Sequence, residues 1–210
     1  MNILKPQNLQ MKELEKGDLS ILKEDEKLDY YDFENQECDN SSLYEVEFEY
    51  CKFKNVCMQK GKLEKCTFKD VIFDKCNFSN TEFLETTFIR CEFMDCKISG
   101  CNFAESRLYQ VAFLENNGSY MNFSMTSIEN MLLQDTGLKN SYFQEVKMKN
   151  TYFENVDLTQ AKFFKTSLRD IDLSSSKIEG IAITIEDIKG ATIDQFQVMD
   201  LLYLLGVKVK

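Results

Sequence analysis

The groups in this sequence best able to do chemistry are eight cysteines and 35 carboxylates. Cys91, Cys96 and Cys101 recur at five-residue intervals and, along the chain, resemble thiolate ligands for a metal ion. The chain has no histidine and no tryptophan, which removes imidazole acid-base catalysis, Ser-His-Asp and Cys-His pairs, and His-containing metal sites. It has no GxGxxG and no phosphate-cradling loop, its eight glycines being scattered. Among so many acidic residues no carboxylate pair is singled out by spacing. What survives is electrostatics: a formal charge of −10 and a pI near 4.7 disfavour direct contact with nucleic acid or an anionic membrane, and favour a basic partner. No cofactor is expected.

The elements that position these groups follow from a period of five, sought before helices or strands are assigned. From Leu28 in steps of five the residues run through Phe33, Cys38, Leu43, Phe48, Phe53, Met58, Leu63 and Phe68 to Ile193 and Val198. Only Gly118 in this register lacks an apolar side chain, and 15 of the 17 phenylalanines lie in it. Two residues before each centre runs a smaller series that includes Val46, Cys51, Val56, Cys66, Val71, Cys76, Thr81, Thr86, Cys91, Cys96, Cys101 and Ser106. With the centre as i, positions i−2 and i point inward and i−1 outward, as in a three-residue strand. A helix cannot satisfy the pattern, because its apolar stripe recurs every 3.6 residues.

The two remaining residues must turn the chain. A right-angle turn each time closes a square after four repeats, and coils of twenty residues stack at about 4.8 Å into parallel sheets. The fold class expected is thus an all-β solenoid, a quadrilateral β-helix with a C-terminal helix. Residues 20 apart should form columns: Phe33, Phe53, Phe73, Phe93 and Phe113 on one side, Phe83, Phe103, Phe123, Phe143 and Phe163 on the opposite one. Gly118 is expected to mark a local bulge or a thin coil, with a functional loop as the alternative.

Residues 1–27 lack the register and are expected to cap the first coil, the repeat filling 28–191. An open solenoid end would otherwise expose strand edges. In 192–210, Thr192-Ile193-Asp194-Gln195 matches a capping box with Thr192 as N-cap, before an apolar helix to Leu205 and a stop at Gly206. Val198, Leu201, Leu202 and Leu205 would cover the last coil. Phe196, Met199 and Tyr203 form a second stripe without a partner in the chain, predicting a two-fold homodimer through the C-termini, with Val207 and Val209 as a short added strand.

The square geometry disperses Cys91, Cys96 and Cys101 onto successive sides, so the i−2 cysteines read as small inward hydrophobes rather than metal ligands. Cys76 and Cys96 would stack within disulfide reach, with free thiols expected in a cytoplasmic chain. That location is the default expectation, since the N-terminus has no signal-like apolar run and no window is apolar enough for a membrane span. Two acidic columns fall at corners. Glu45, Glu85, Glu105 and Glu145 share one ridge, interrupted by Lys65 and Lys165; Asp95, Glu115 and Asp135 share another on the opposite side. Both a functional acidic ridge and ordinary solubility charge fit them.

The five-residue register over about 28–198 resembles the pentapeptide-repeat family, which implies a right-handed quadrilateral β-helix. The length, the nearly uninterrupted repeat, the C-terminal helix, the tail Leu204-Leu205-Gly206-Val207 and the stretch Cys101-Asn102-Phe103-Ala104-Glu105-Ser106 with Leu108 are similar to the Qnr and MfpA subgroup. Gram-negative Qnr proteins carry loop insertions; this register has none and looks like the loop-free Gram-positive type. The resemblance implies a dimeric, DNA-mimicking rod that binds DNA gyrase or topoisomerase IV and protects it from fluoroquinolones. A structural or scaffolding solenoid with an unrelated partner is the alternative. An enzyme is the weakest reading, because a bore packed with phenylalanine offers no cleft.

Overall fold

The computed structural model describes residues 5–7, 9 and 12–206. Three-residue strands such as Lys52–Lys54, Thr67–Lys69 and Ile72–Asp74 alternate with turns. The centre of each is buried between two outward neighbours. Every fifth residue from Asp25 to Asp170 has a positive φ, Gly100 included, so four left-handed corners per twenty residues square the coil. An L-residue in that conformation costs about 1 kcal/mol, and asparagine and aspartate, which tolerate it, fill 13 of the 29 non-glycine corners.

The coils pair in parallel with an offset of twenty. On the first side Leu28, Phe48, Phe68, Phe88, Leu108, Ile128 and Met148 are successive partners. On the second, Phe33, Phe53, Phe73, Phe93, Phe113, Leu133 and Phe153 follow one another. The third side is bridged through Cys57, Asn77, Lys97, Asn117 and Gly137, and the fourth through Glu82, Asn102, Asn122 and Tyr142. The result is a parallel β-solenoid of about eight turns. Toward its middle the first two sides merge into eight-residue strands, among them Thr87–Met94 and Arg107–Leu114.

Both expected phenylalanine columns are present. Ring centroids are 4.4 to 5.1 Å apart from Phe33 to Phe113 and 4.5 to 5.5 Å apart from Phe83 to Phe163. A third stack, Phe48, Phe68 and Phe88, fills the first side. The i−2 residues are more than hydrophobes. Thr86 Oγ1 donates to Leu63 O (2.7 Å), Ser106 Oγ to Phe83 O (2.6 Å), Thr126 Oγ1 to Phe103 O (2.8 Å) and Cys101 Sγ to Phe78 O (2.9 Å), each 23 residues back. Cysteine, serine and threonine share these sites because each is small and carries one donor.

Gly118 introduces neither a bulge nor a thin coil. Its N–H donates to Gly137 O at 3.0 Å in step with Ile98 below and Leu138 above. The missing side chain is replaced from the neighbouring repeat by Met121, which is fully buried; a Cβ on Gly118 would lie 2.5 Å from Met121 Sδ.

The ends correct three expectations. Residues 1–27 do not all cover the first coil. Glu15–Lys16 pairs with Tyr31 and Asp32, and Leu19 is buried over the bore, held by Gln36, which accepts from Leu19 N and donates to Gly17 O. Gln7, however, lies along the side of the tube against Asp70. At the other end a helical turn that the register had concealed, α1 (Ile185–Ile188), begins at Thr184, whose Oγ1 accepts from Asp187 N. The capping box lies two residues later than expected, because Thr192 still pairs with Asp172 in the coil. Asp194 caps Phe196 N, and Gln197 Oε1 accepts from Asp194 N.

The chain then forms α2 (Val198–Leu201), a 3-10 turn Leu202–Leu205 and the expected stop at Gly206, with φ 66°. Buried Gln197 donates from Nε2 to Leu173 O and Ser176 O, closing the bore. Leu201 and Leu204 pack on the core, whereas Val198 and Leu205 are exposed, so the covering stripe is rotated from the one expected and the register ends at Ile193.

Candidate partner-binding surface

Every residue of the two expected acidic ridges occupies a left-handed corner and is exposed. Glu45, Glu85, Glu105 and Glu145 line the corner between the fourth and first sides, and Asp95, Glu115 and Asp135 the diagonally opposite one. Corners carry side chains farther from the axis than strand positions do, so their charges meet an approaching partner first.

The carboxylates are not equivalent. Glu145 pairs with Lys165 at 2.9 Å, and the hydrogen bond from that ammonium draws its carboxyl below the usual range. Asp135 Oδ1 accepts from Asn155 Nδ2 at 2.6 Å. Glu45 is hydrogen-bonded to Asp25, which raises the Asp25 carboxyl, so this pair presents less charge than its composition suggests. Lys65 donates to Tyr44 Oη at 2.8 Å. Glu85 and Glu105 on one corner, with Asp95 and Glu115 on the other, take part in none of the ion pairs among the described residues. These four lie in two adjacent coils. Met125 breaks the first ridge just beyond them, an interruption the sequence reading passed over.

Elsewhere the charges neutralise one another from coil to coil. Lys54 binds Glu34 at 2.7 Å, Lys149 binds Glu129 at 2.7 Å, and Lys69 binds Glu49. These pairs stand 20 residues apart on strand positions, so stacking itself brings them together. Among the described residues no group of three or more Cys, Asp or Glu is placed to hold a metal ion. Burial pushes the Cys51 and Cys66 thiols up to about 11 and the Cys91 thiol to about 12, so they are neither thiolate ligands nor nucleophiles at neutral pH. No helix among the described residues is long and apolar enough to cross a membrane.

The C-terminal stripe is partly as expected. Phe196 (77%) and Met199 (60%) are the most exposed of the three residues assigned to it. Tyr203 differs: its hydroxyl donates to Ile181 O at 2.6 Å and accepts from Ile183 N at 3.2 Å, so it fastens the cap to the tube even though half of it is exposed. Val207 and Val209 lie outside the described residues.

Among solved structures the chain is similar to HetL of the cyanobacterium Nostoc sp. strain PCC 7120, a pentapeptide-repeat protein involved in heterocyst differentiation regulation. That likeness covers 82% of this chain and 91% of HetL at 14% identity, with a TM-score of 0.47. It is also similar to full-length QnrB1, a plasmid-mediated fluoroquinolone resistance protein, over 84% of this chain and 100% of that one at 16% identity, with a TM-score of 0.42. No curated protein is close enough in sequence to count as a match. A family model for a pentapeptide repeat region matches residues 66–141, and one for pentapeptide repeats matches 138–180. Together they span more than half of the sequence on the same five-residue register that builds the tube: the chain belongs to the pentapeptide-repeat family.

Proposed function

We propose that this solenoid is a non-enzymatic binding protein of the cytoplasm that docks its acidic corners on a basic, DNA-binding surface of DNA gyrase or topoisomerase IV and protects that enzyme from fluoroquinolones. The observation that carries the reading is the set of four uncompensated, exposed carboxylates, Glu85, Glu105, Asp95 and Glu115, on opposite corners of two adjacent coils. Backbone preference does not account for the glutamates, since asparagine or glycine would occupy a left-handed corner at lower cost. The net charge of −10 on a tube of about 40 Å, at about 4.8 Å per coil, gives roughly one charge per 4 Å. A DNA duplex carries about one per 1.7 Å. The tube is therefore a weaker polyanion than DNA, suited to competing for a basic saddle locally and in a salt-dependent manner.

The reading includes a homodimer through the C-terminal ends, supported by the exposed Phe196, Val198, Met199 and Leu205. Sedimentation of Met199→Asp is expected to yield monomers, whereas an unchanged dimer would refute the assignment. Tyr203 is unsuitable for that test because its hydroxyl holds the cap. The function is tested by DNA supercoiling with ciprofloxacin and increasing amounts of the protein. Activity is expected to be retained at drug levels that otherwise abolish it, and Glu85→Lys with Glu105→Lys is expected to remove the effect. Neither protection nor inhibition at any concentration would reject the reading.

A second reading, a scaffold with an unrelated partner, is favoured by the coil-to-coil ion pairs, which spend most of the strand-borne charge within the tube. Recovery of other proteins but no topoisomerase subunits on the immobilised protein would select it.

A further inference from the structure

The repeat places polar side chains outward at i−1 and i+1. Along the corner joining the first and second sides that rule lapses: Ile72, Ile89, Met94, Ala112, Leu114 and Leu132 occupy outward positions. None of them is fully exposed, and Ala112, at 4%, is buried. The described part of the N-terminal segment touches this same line at three heights. Lys12 Nζ stands 4.9 Å from the centre of the Tyr30 ring on the first coil. Two coils on, Gln7 N donates to Asp70 Oδ1 at 2.8 Å. One coil further, Lys5 Nζ lies 3.8 Å from Glu92 Oε1.

The middle contact is well anchored. Arg90 also donates to Asp70, from Nε at 2.7 Å and from its guanidinium NH2 group at 2.6 Å, so a carboxylate only 1% exposed accepts three donors. Glu92 is 7% exposed. The three contacts fix a direction, because moving back from residue 12 to residue 5 climbs the tube. Four more residues reach about 13 Å when extended, or nearly three coils of about 4.8 Å, which is the stretch holding Ala112, Leu114 and Leu132. Of those four residues Met1, Ile3 and Leu4 are apolar.

We propose that the N-terminal segment, residues 1–12, is a strap bound lengthwise along this corner, with Met1, Ile3 and Leu4 occupying the outward apolar row of Ala112, Leu114 and Leu132. Stacked coils communicate only with their neighbours. The Gln7 to Asp70 bond spans 63 residues, whereas the other described side-chain hydrogen bonds span 24 or fewer. The strap therefore couples coils that the solenoid alone leaves independent, and it covers an apolar face that would otherwise be open to association.

The full-length chain reports on this directly. Trypsin cuts after Lys12, while the Lys5-Pro6 bond is resistant, so release of the segment can be timed by mass spectrometry. Ile3→Asp with Leu4→Asp, which alters no residue of the tube, is expected to speed that cut about tenfold, as proteolysis follows the population of the open form. The same variant should bind more anilinonaphthalene sulfonate, and Asp70→Asn should speed the cut as well. An unchanged rate and unchanged dye binding in the Ile3/Leu4 variant would overturn the proposal. So would protection of wild type that grows with protein concentration, since the occupant would then come from a second copy.

Discussion

The two halves of the tube share one backbone and fill it differently. In the coil from Phe68 to Phe83 each side contributes a phenylalanine, and Phe68 stacks on Phe48 and Phe88 while meeting Phe53, Phe73 and Phe83 edge-on. Past Phe143 the bore is mainly aliphatic, with Leu158, Leu168, Leu173, Ile178 and Ile183 buried, and Phe163 stacks on Phe143 alone. The offset of twenty and the left-handed corners persist through both halves. Spacing and corners thus set the geometry, while side-chain identity sets how strongly one side of a coil is coupled to the next.

The sharpest test of that contrast is truncation of matched rings. Phe68→Ala is expected to cost about 4 to 5 kcal/mol and Phe163→Ala about 3 kcal/mol by chemical denaturation, the excess reflecting lost edge-to-face contacts. Equal losses would show that the rings act only as columns. A smaller effect is expected at Gly118, between the halves. Gly118→Leu should cost about 2 to 3 kcal/mol by driving into Met121 and Ile98, and Met121→Ala in the same chain should restore much of the loss.

The last test uses the cysteines, all of which lie between residues 38 and 101 and none in the aliphatic half. The folded thiols of Cys51, Cys66 and Cys91 are raised above the ordinary value, first of all by burial. The unfolded chain therefore loses their protons first as pH climbs. Their stabilising contribution is complete below pH 9 and is lost toward pH 11 to 12. Replacing Cys66 by Val should flatten the fall in stability between pH 8.5 and 10.5 by about 1 to 2 kcal/mol. Equally steep profiles for the two proteins would mean that the lysine ion pairs, which also weaken when deprotonated, account for it.

The tube was legible because inward and outward positions alternate without a break and every fifth residue is apolar; counting by twenty placed the acidic ridges on the right corners. Other features depend on information that spacing does not carry. The donor role of Thr86 or Cys101 requires a carbonyl 23 residues back, which exists only after stacking. α1 was concealed because Ile183, Ile188 and Ile193 keep the five-residue step while Thr184 and Asp187 form a cap. Thr192 and Asp194 are both credible N-caps, and only the pairing of Thr192 with Asp172 decides between them. Which ridge carboxylates are free depends on where corner side chains turn, and so could not be read in advance.

The offset of twenty also governs how such a molecule can change length. Duplicating twenty residues would insert one full storey and leave every column, including both acidic corners, in line. Inserting five would lengthen the chain with equally good interior packing, yet rotate everything downstream by a quarter turn and carry Glu145 off the edge shared by Glu85 and Glu105. The exterior pattern is thus phase-locked to the chain, so growth by whole storeys preserves recognition while growth by single repeats rewrites it.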